Sequence, residues 1–235
     1  KPEFGIDHVK SGRKDVRVDE QILLRKPFGQ LKHFAREGID QGPRLLIVAP
    51  MSGHYATLLR GTVQRLLPKF DVYITDWRDA KLVPLPDGSF DLDDYIDYLV
   101  EFLEHIGKRT GERPHLLAVC QPAVPAFAAT ALMNADKNPW RPKSLTMMGG
   151  PIDTRKAPTA VNTLATQRPF GWFEQNVIQQ VPPTFPGRGR SVSPGFLQHA
   201  GFMAMNPARH FQSHWAFSPD LVTGALGAAA RTRVV

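Results

Sequence analysis

Four short apolar runs, separated by helix-compatible segments, restrict this chain to very few architectures. "PRLLIVAP", Pro43 to Pro50, is continuous, apolar and fenced by proline, as expected of a strand buried on both faces. "ATLLRGTVQRLLP" follows with helical spacing and stops at Pro68. "FDVYITDW" reads as a second buried strand, "PHLLAVC" as a third and "KSLTMMGG" as a fourth. "SFDLDDYIDYLVEFLEHIGKR" and "AVPAFAATALM" are the helices between them. This alternation predicts an α/β fold: a mostly parallel sheet with helices packed on its faces.

The longest of these helices is the most legible. Leu92, Tyr95, Ile96, Leu99, Phe102, Leu103 and Ile106 fall on one stripe. Asp91, Asp93 and Asp94 sit in its first turn, where carboxylates favour the helix dipole, so no metal is needed to explain them. The first forty-odd residues are polar, with one alternating stretch, "KDVRVDEQILLRKP", that reads as one or two antiparallel strands. From Pro151 the chain is dense in Pro, Gly and aromatics, which predicts an irregular cap rather than more sheet. The expected organisation is a β extension over 1–43, an α/β core over 44–150, and a cap with an atypical C-terminus over 151–235.

Composition narrows the functional classes. A chain of 235 residues with 42% hydrophobic and 22% charged residues has room for one sizeable globular core. No apolar run approaches the roughly 18 residues of a membrane span. A single cysteine makes no internal disulfide, and a reducing compartment fits it best. The net charge of +7 comes from scattered Lys and Arg that never form a run of five. That describes a basic, solvated surface rather than a nucleic-acid site. The chain begins at Lys1 without Met, so the absence of a leader peptide carries no weight.

In open α/β sheets ligands bind beyond the carboxyl ends of the strands. Three segments fall there: "APMSGHY", "DWRDAK" and "CQPA". The last holds Cys120, where an apolar strand turns into a helix. In α/β-hydrolases the residue at such a turn is the nucleophile, usually within G-x-S-x-G, the glycines relieving a crowded turn. Here the five places read Ala118-Val119-Cys120-Gln121-Pro122. Small Ala118 meets part of the steric need, and Pro122 falls in the first helical turn, where its missing N–H costs nothing. The thiolate is the nucleophilic form of cysteine, and a helix N-terminus stabilises negative charge. The backbone N–H of Gln121 and one from the loop after the first buried strand, Met51, are the expected oxyanion donors. Ser52 and His54 share that loop. His54 reads as orienting it or capping a helix rather than as a base. The other reading of Cys120 is a small hydrophobe at a strand end.

"LLIVAPMSGHYATLLRGTVQRLLPKFDVYITDWRDAKLVPLPDGSFDLDDYIDYL", "AVCQPAVP" and "MGGPIDTRKAPTAVNTLA" together resemble the intracellular polyhydroxyalkanoate (polyhydroxybutyrate) depolymerases. The likeness runs from about Pro2 to about His210. It implies an α/β-hydrolase-like fold, Cys120 as nucleophile in a Cys-Gln-Pro turn, and hydrolysis of 3-hydroxyacid storage polyester on cytoplasmic granules. The implied partners are the granule surface and polymer; no nucleic acid, membrane span, metal or cofactor is implied, and oligomeric state stays open. The family's catalytic Asp and His lie further downstream. "FQSHWAFSPDLVTGALGAAARTRVV" does not read as its continuation, so a truncated or altered C-terminal part is expected. Asp153 is not assigned, and His199, His210 and His214 read as cap or surface residues. Trp172 and Phe173, with Phe170, Phe185, Phe196 and Phe202, are candidates to line a groove for an apolar polymer, or simply pack the cap. Two other functions fit less of this pattern. A polyhydroxyalkanoate synthase also uses a Cys on this fold, but with a glycine after it. A non-catalytic granule-binding protein needs no triad at all.

Overall fold

The four apolar runs form the parallel half of a seven-stranded sheet in the computed structural model, which describes residues 1–156 and 158–205. In chain order the elements are β1 (His8–Ser11), β2 (Lys14–Lys26), β3 (Gly29–Arg36), β4 (Arg44–Val48), α1 (Arg60–Leu66), β5 (Asp71–Trp77), α2 (Leu92–Thr110), β6 (His115–Val119), α3 (Ala123–Ala135) and β7 (Leu145–Met148). Then come α4 (Ala160–Gln167), α5 (Phe170–Asn176), β8 (Gln179–Gln180), β9 (Ser191–Val192) and α6 (Gly195–Met205). The order across the sheet is β1-β2-β3-β5-β4-β6-β7. Strands β5, β4, β6 and β7 are parallel, while β1, β2 and β3 join antiparallel, with β3 against β5. The fold is α/β, a mixed sheet whose four parallel strands carry helices on both faces.

Strand β4 lies at the centre. Ile47 pairs with Ile74 on one side and Leu117 on the other. Side chains alternate across a strand, so Leu46 and Val48 enter one core with Tyr73, Leu116, Ala118 and the apolar faces of α2 and α3. Leu45 and Ile47 enter the other core with Val72, Ile74, Leu117, Val63 of α1 and Leu67. A strand sandwiched in this way has no polar face, which explains the unbroken apolar run.

Helix α2 obeys its stripe with one exchange. Tyr95, Ile96, Leu99, Phe102, Leu103 and Ile106 are buried, and Tyr98 joins them. Leu92 is 54% exposed, because it is the first helical residue and projects beyond the core. Two of the three first-turn acids form a capping box: the Asp94 N–H donates to Asp91 Oδ1 (3.0 Å), and the Asp91 N–H donates to Asp94 Oδ2 (2.9 Å). That satisfies two backbone donors that the helix leaves unpaired.

Elsewhere the structure refines the reading. "KDVRVDEQILLRK" is one 13-residue strand, β2, with a register shift between Ile22 and Leu24. Beyond Pro151 the proline and glycine breaks are present, but three short helices form between them. α4 is set by a second capping box, Thr159 with Asn162, a signal that composition alone does not register. The chain divides into two units, Lys1–Thr154 with Gln180–Val192, and Arg155–Gln179 with the residues from Ser193 onward. Among the described residues no helix is long and apolar enough to cross a membrane.

Candidate active site

The sheet topology marks a position before any side chain is considered. The connection leaving β4 runs through α1 on one face, and the connection leaving β6 runs through α3 on the other. Adjacent parallel strands whose connections part to opposite faces leave a crevice at their carboxyl ends. Two loops meet there, the one after Val48 and the turn after Val119.

The turn after β6 holds Cys120. The thiol is exposed, and the backbone has φ of +68°, in the left-handed region that costs a non-glycine residue energy. Lys137 is the other described non-glycine residue with positive φ. It sits just past the end of α3, where a left-handed residue commonly stops a helix. Cys120 has no such reason, since it starts a helix rather than ending one. The turn is pinned from both sides: the Cys120 N–H donates to Met148 O of β7 (2.7 Å), and Cys120 O accepts from the Ala123 N–H (3.0 Å).

The space that the missing glycines would have supplied comes from elsewhere. Ala118 is fully buried, in register with Val48 on one side and Met147 on the other. Gly150, just after β7, lies against the turn. A Cβ there would fall 2.0 Å from Ala123 Cβ and 2.9 Å from Cys120 O. Sequence reasoning missed Gly150, because it is brought to the turn by strand pairing. "MGG" after a predicted strand was the available signal.

The loop after β4 is tied down first at Ala49. Its N–H donates to Thr75 Oγ1 (2.9 Å), and its carbonyl accepts from Trp77 Nε1 (2.8 Å). Two residues on, the Met51 N–H donates to Gln121 Oε1 (3.2 Å), bridging the crevice. The Gln121 N–H itself, in the first turn leading to α3, has no acceptor among the described residues. Ser52 is buried, and its carbonyl lies 3.1 Å from His54 Nδ1, so that ring nitrogen carries the proton it donates. The loop therefore gathers Met51, Ser52 and His54, with Met51 facing the Cys120 turn.

Other candidates belong to other elements. Trp172 and Phe173 are half-buried on α5, edge to face at 5.1 Å, with Arg168 over the indole. Both belong to the second unit. Phe170 and Phe196 are exposed, His199 and Phe202 lie on α6, and His210 and His214 lie outside the described residues. Phe185 lines an open cleft of about 510 Å³ with Pro84, Leu85, Pro86, Pro183, Pro186 and Arg188. Beside it, buried Arg190 donates to Val83 O, Pro84 O and Gly88 O. No local sequence signal marks this clamp.

Comparison with known proteins agrees with the resemblance read in the sequence. Residues 149–234 match the family model described as the PHB de-polymerase C-terminus. The match runs past His210, so it takes in the last stretch, which the sequence reading set apart. No curated protein matches. Similar solved structures include naproxen esterase from Bacillus subtilis, at 18% identity and TM-score 0.38, covering 55% of this chain and 42% of that one. A bacterial membrane phospholipase A has 16% identity and TM-score 0.48, covering 80% and 59%. The 2-hydroxy-6-oxo-6-phenylhexa-2,4-dienoate hydrolase from Rhodococcus sp. strain RHA1 has 14% identity and TM-score 0.42, covering 62% and 49%. The chain thus spans about two-fifths to three-fifths of the length of these proteins.

Proposed function

We propose that this chain cleaves ester bonds of poly(3-hydroxybutyrate)-type polyester, at the surface of storage granules, through an acyl-enzyme on Cys120. The observation that carries the reading is the left-handed, exposed Cys120 at the strand-to-helix turn of the sheet's crevice. The match of residues 149–234 to the PHB de-polymerase C-terminus supports the substrate class.

The steps follow from the groups at the turn. The Cys120 thiolate adds to the ester carbonyl carbon; a C–S bond forms and the π pair moves to oxygen. The backbone N–H groups of Gln121 and Met51 receive that oxyanion, where a preformed donor lowers the barrier most. The intermediate collapses, the C–O bond breaks, and the shortened polymer leaves as an alkoxide that takes from solvent the proton the Cys120 thiol gave up. Water then adds to the thioester, releasing the acid and returning the thiol. The first unit supplies nucleophile and donors. The aromatic pair Trp172–Phe173 offers an apolar surface suited to an uncharged polymer.

The test compares the chain with Cys120→Ala on amorphous polyhydroxybutyrate granules, following release of 3-hydroxybutyrate. Release by the parent, reduced by several powers of ten in the variant, is the expected result. Equal release by both would remove Cys120 from the mechanism. Granule co-sedimentation without release would favour a binding protein, and polymer growth from 3-hydroxybutyryl-CoA a synthase.

A further inference from the structure

Resting on that ester-hydrolase reading, we infer that the side chain of Gln121 is a positioning residue. Its amide oxygen holds the Met51 N–H toward the Cys120 turn, keeping the second oxyanion donor aimed before substrate arrives. The bond spans seventy residues of chain and joins the two loops that flank the crevice. Among the described residues no other hydrogen bond holds that N–H, although the Met51 side chain packs against the larger core. Ala49 is anchored to β5, Pro50 has no N–H, and after Met51 the loop bends through Gly53 at φ of +80°. Gln121 itself is exposed, so its side chain has solvent to move into.

The exchange is matched in kind. Gln121 Oε1 is a neutral carbonyl oxygen, as is the oxygen of an incoming ester. Substrate therefore replaces one neutral acceptor with another, and ground-state binding changes little. When the carbon becomes tetrahedral the oxygen turns anionic, and its bond to Met51 N–H strengthens roughly twofold, which an amide oxygen cannot match. Stabilisation thus appears in the transition state rather than in the bound substrate. The Gln121 backbone N–H survives any side-chain substitution, so the two contributions of this residue are separable.

The experiment uses the parent chain, Gln121→Met, which keeps length and loses the acceptor, and Gln121→Glu, which keeps an acceptor. Three quantities are read: hydrogen exchange of the Met51 amide, the burst of p-nitrophenolate on acylation by p-nitrophenyl butyrate, and alkylation of Cys120 by iodoacetamide, which forms no oxyanion. In Gln121→Met the Met51 amide is expected to exchange at least about tenfold faster, and acylation to slow about ten- to hundredfold. Alkylation stays within about twofold, since the thiol itself is untouched. Gln121→Glu restores amide protection. Acylation of Gln121→Met at the parent rate, or unchanged Met51 exchange, overturns the inference alone. A parent that is alkylated but never acylated overturns the ester-hydrolase reading, and this inference with it.

Discussion

A cysteine at the end of a buried strand is ordinarily a small apolar side chain. Cys120 departs from that in being exposed and left-handed, and its neighbours explain how the turn is accommodated. Ala118 fits on the strand side, Pro122 fits the helix side, and Gly150 vacates the volume between them. Gly150→Ala places a methyl carbon inside Ala123 and against Cys120 O. Overpacking of this kind costs about 1–3 kcal/mol. The expected outcome is a lower urea midpoint together with slower acylation of Cys120, because relief comes by shifting the turn; unchanged values of both would refute the packing account. Cys120 and its five-residue frame were legible in the sequence, as residue types at a strand–helix boundary. Gly150 was not, since nothing in the local sequence says which strand lies beside β6.

Helix α2 shows how much a strong periodic signal carries. Its cap, its apolar stripe and its left-handed stop at Gly111 are all local, and propensity, pattern and capping agree. What the pattern did not resolve was the ends, where Leu92 runs out of core to enter. The same helix carries a pH-sensitive group. Burial, reinforced by Arg109 and Lys108, holds His105 below its ordinary pKa of 6.5, with Glu101 opposing. A lowered histidine pKa means that the unfolded chain binds more protons between the folded value and 6.5. Stability therefore rises with pH through that window, and the cost of protonation is fully present below it. Melting temperatures measured from pH 5 to pH 7 are expected to rise less in His105→Gln than in the parent. Parallel curves would assign the pH dependence to other groups.

The sheet as a whole rests on contacts between distant segments. Arg190 illustrates this: it lies buried more than a hundred residues from the carbonyls of Val83, Pro84 and Gly88, and its guanidinium also stacks over Phe28. It fixes the segment that leaves β5 at the carboxyl end of the sheet. Arg190→Ala leaves the buried Val83 carbonyl and the part-buried Gly88 carbonyl without their donor, while Pro84 O keeps the Asp87 N–H, and is expected to destabilise the protein by about 2–3 kcal/mol in denaturant titration. Arg190→Lys is not expected to rescue it, because one ammonium lacks the fork that reaches three carbonyls. Stability like the parent's in Arg190→Ala would show that the clamp is dispensable, and in Arg190→Lys that the fork is not required.

Hydrophobic pattern and punctuation settled the class of fold, the identity of the parallel strands, the course of α2 and the placement of Cys120 at a turn, because each depends on neighbours a few residues away. The sequence did not disclose that β4 and β6 lie side by side with connections to opposite faces, that Gly150 opens the Cys120 turn, or that Gln121 reaches Met51. Those depend on strand order and on approaches across the crevice. The alternation of strand and helix permits several orders with the same local signals, and packing of the two apolar faces of the sheet selects one of them.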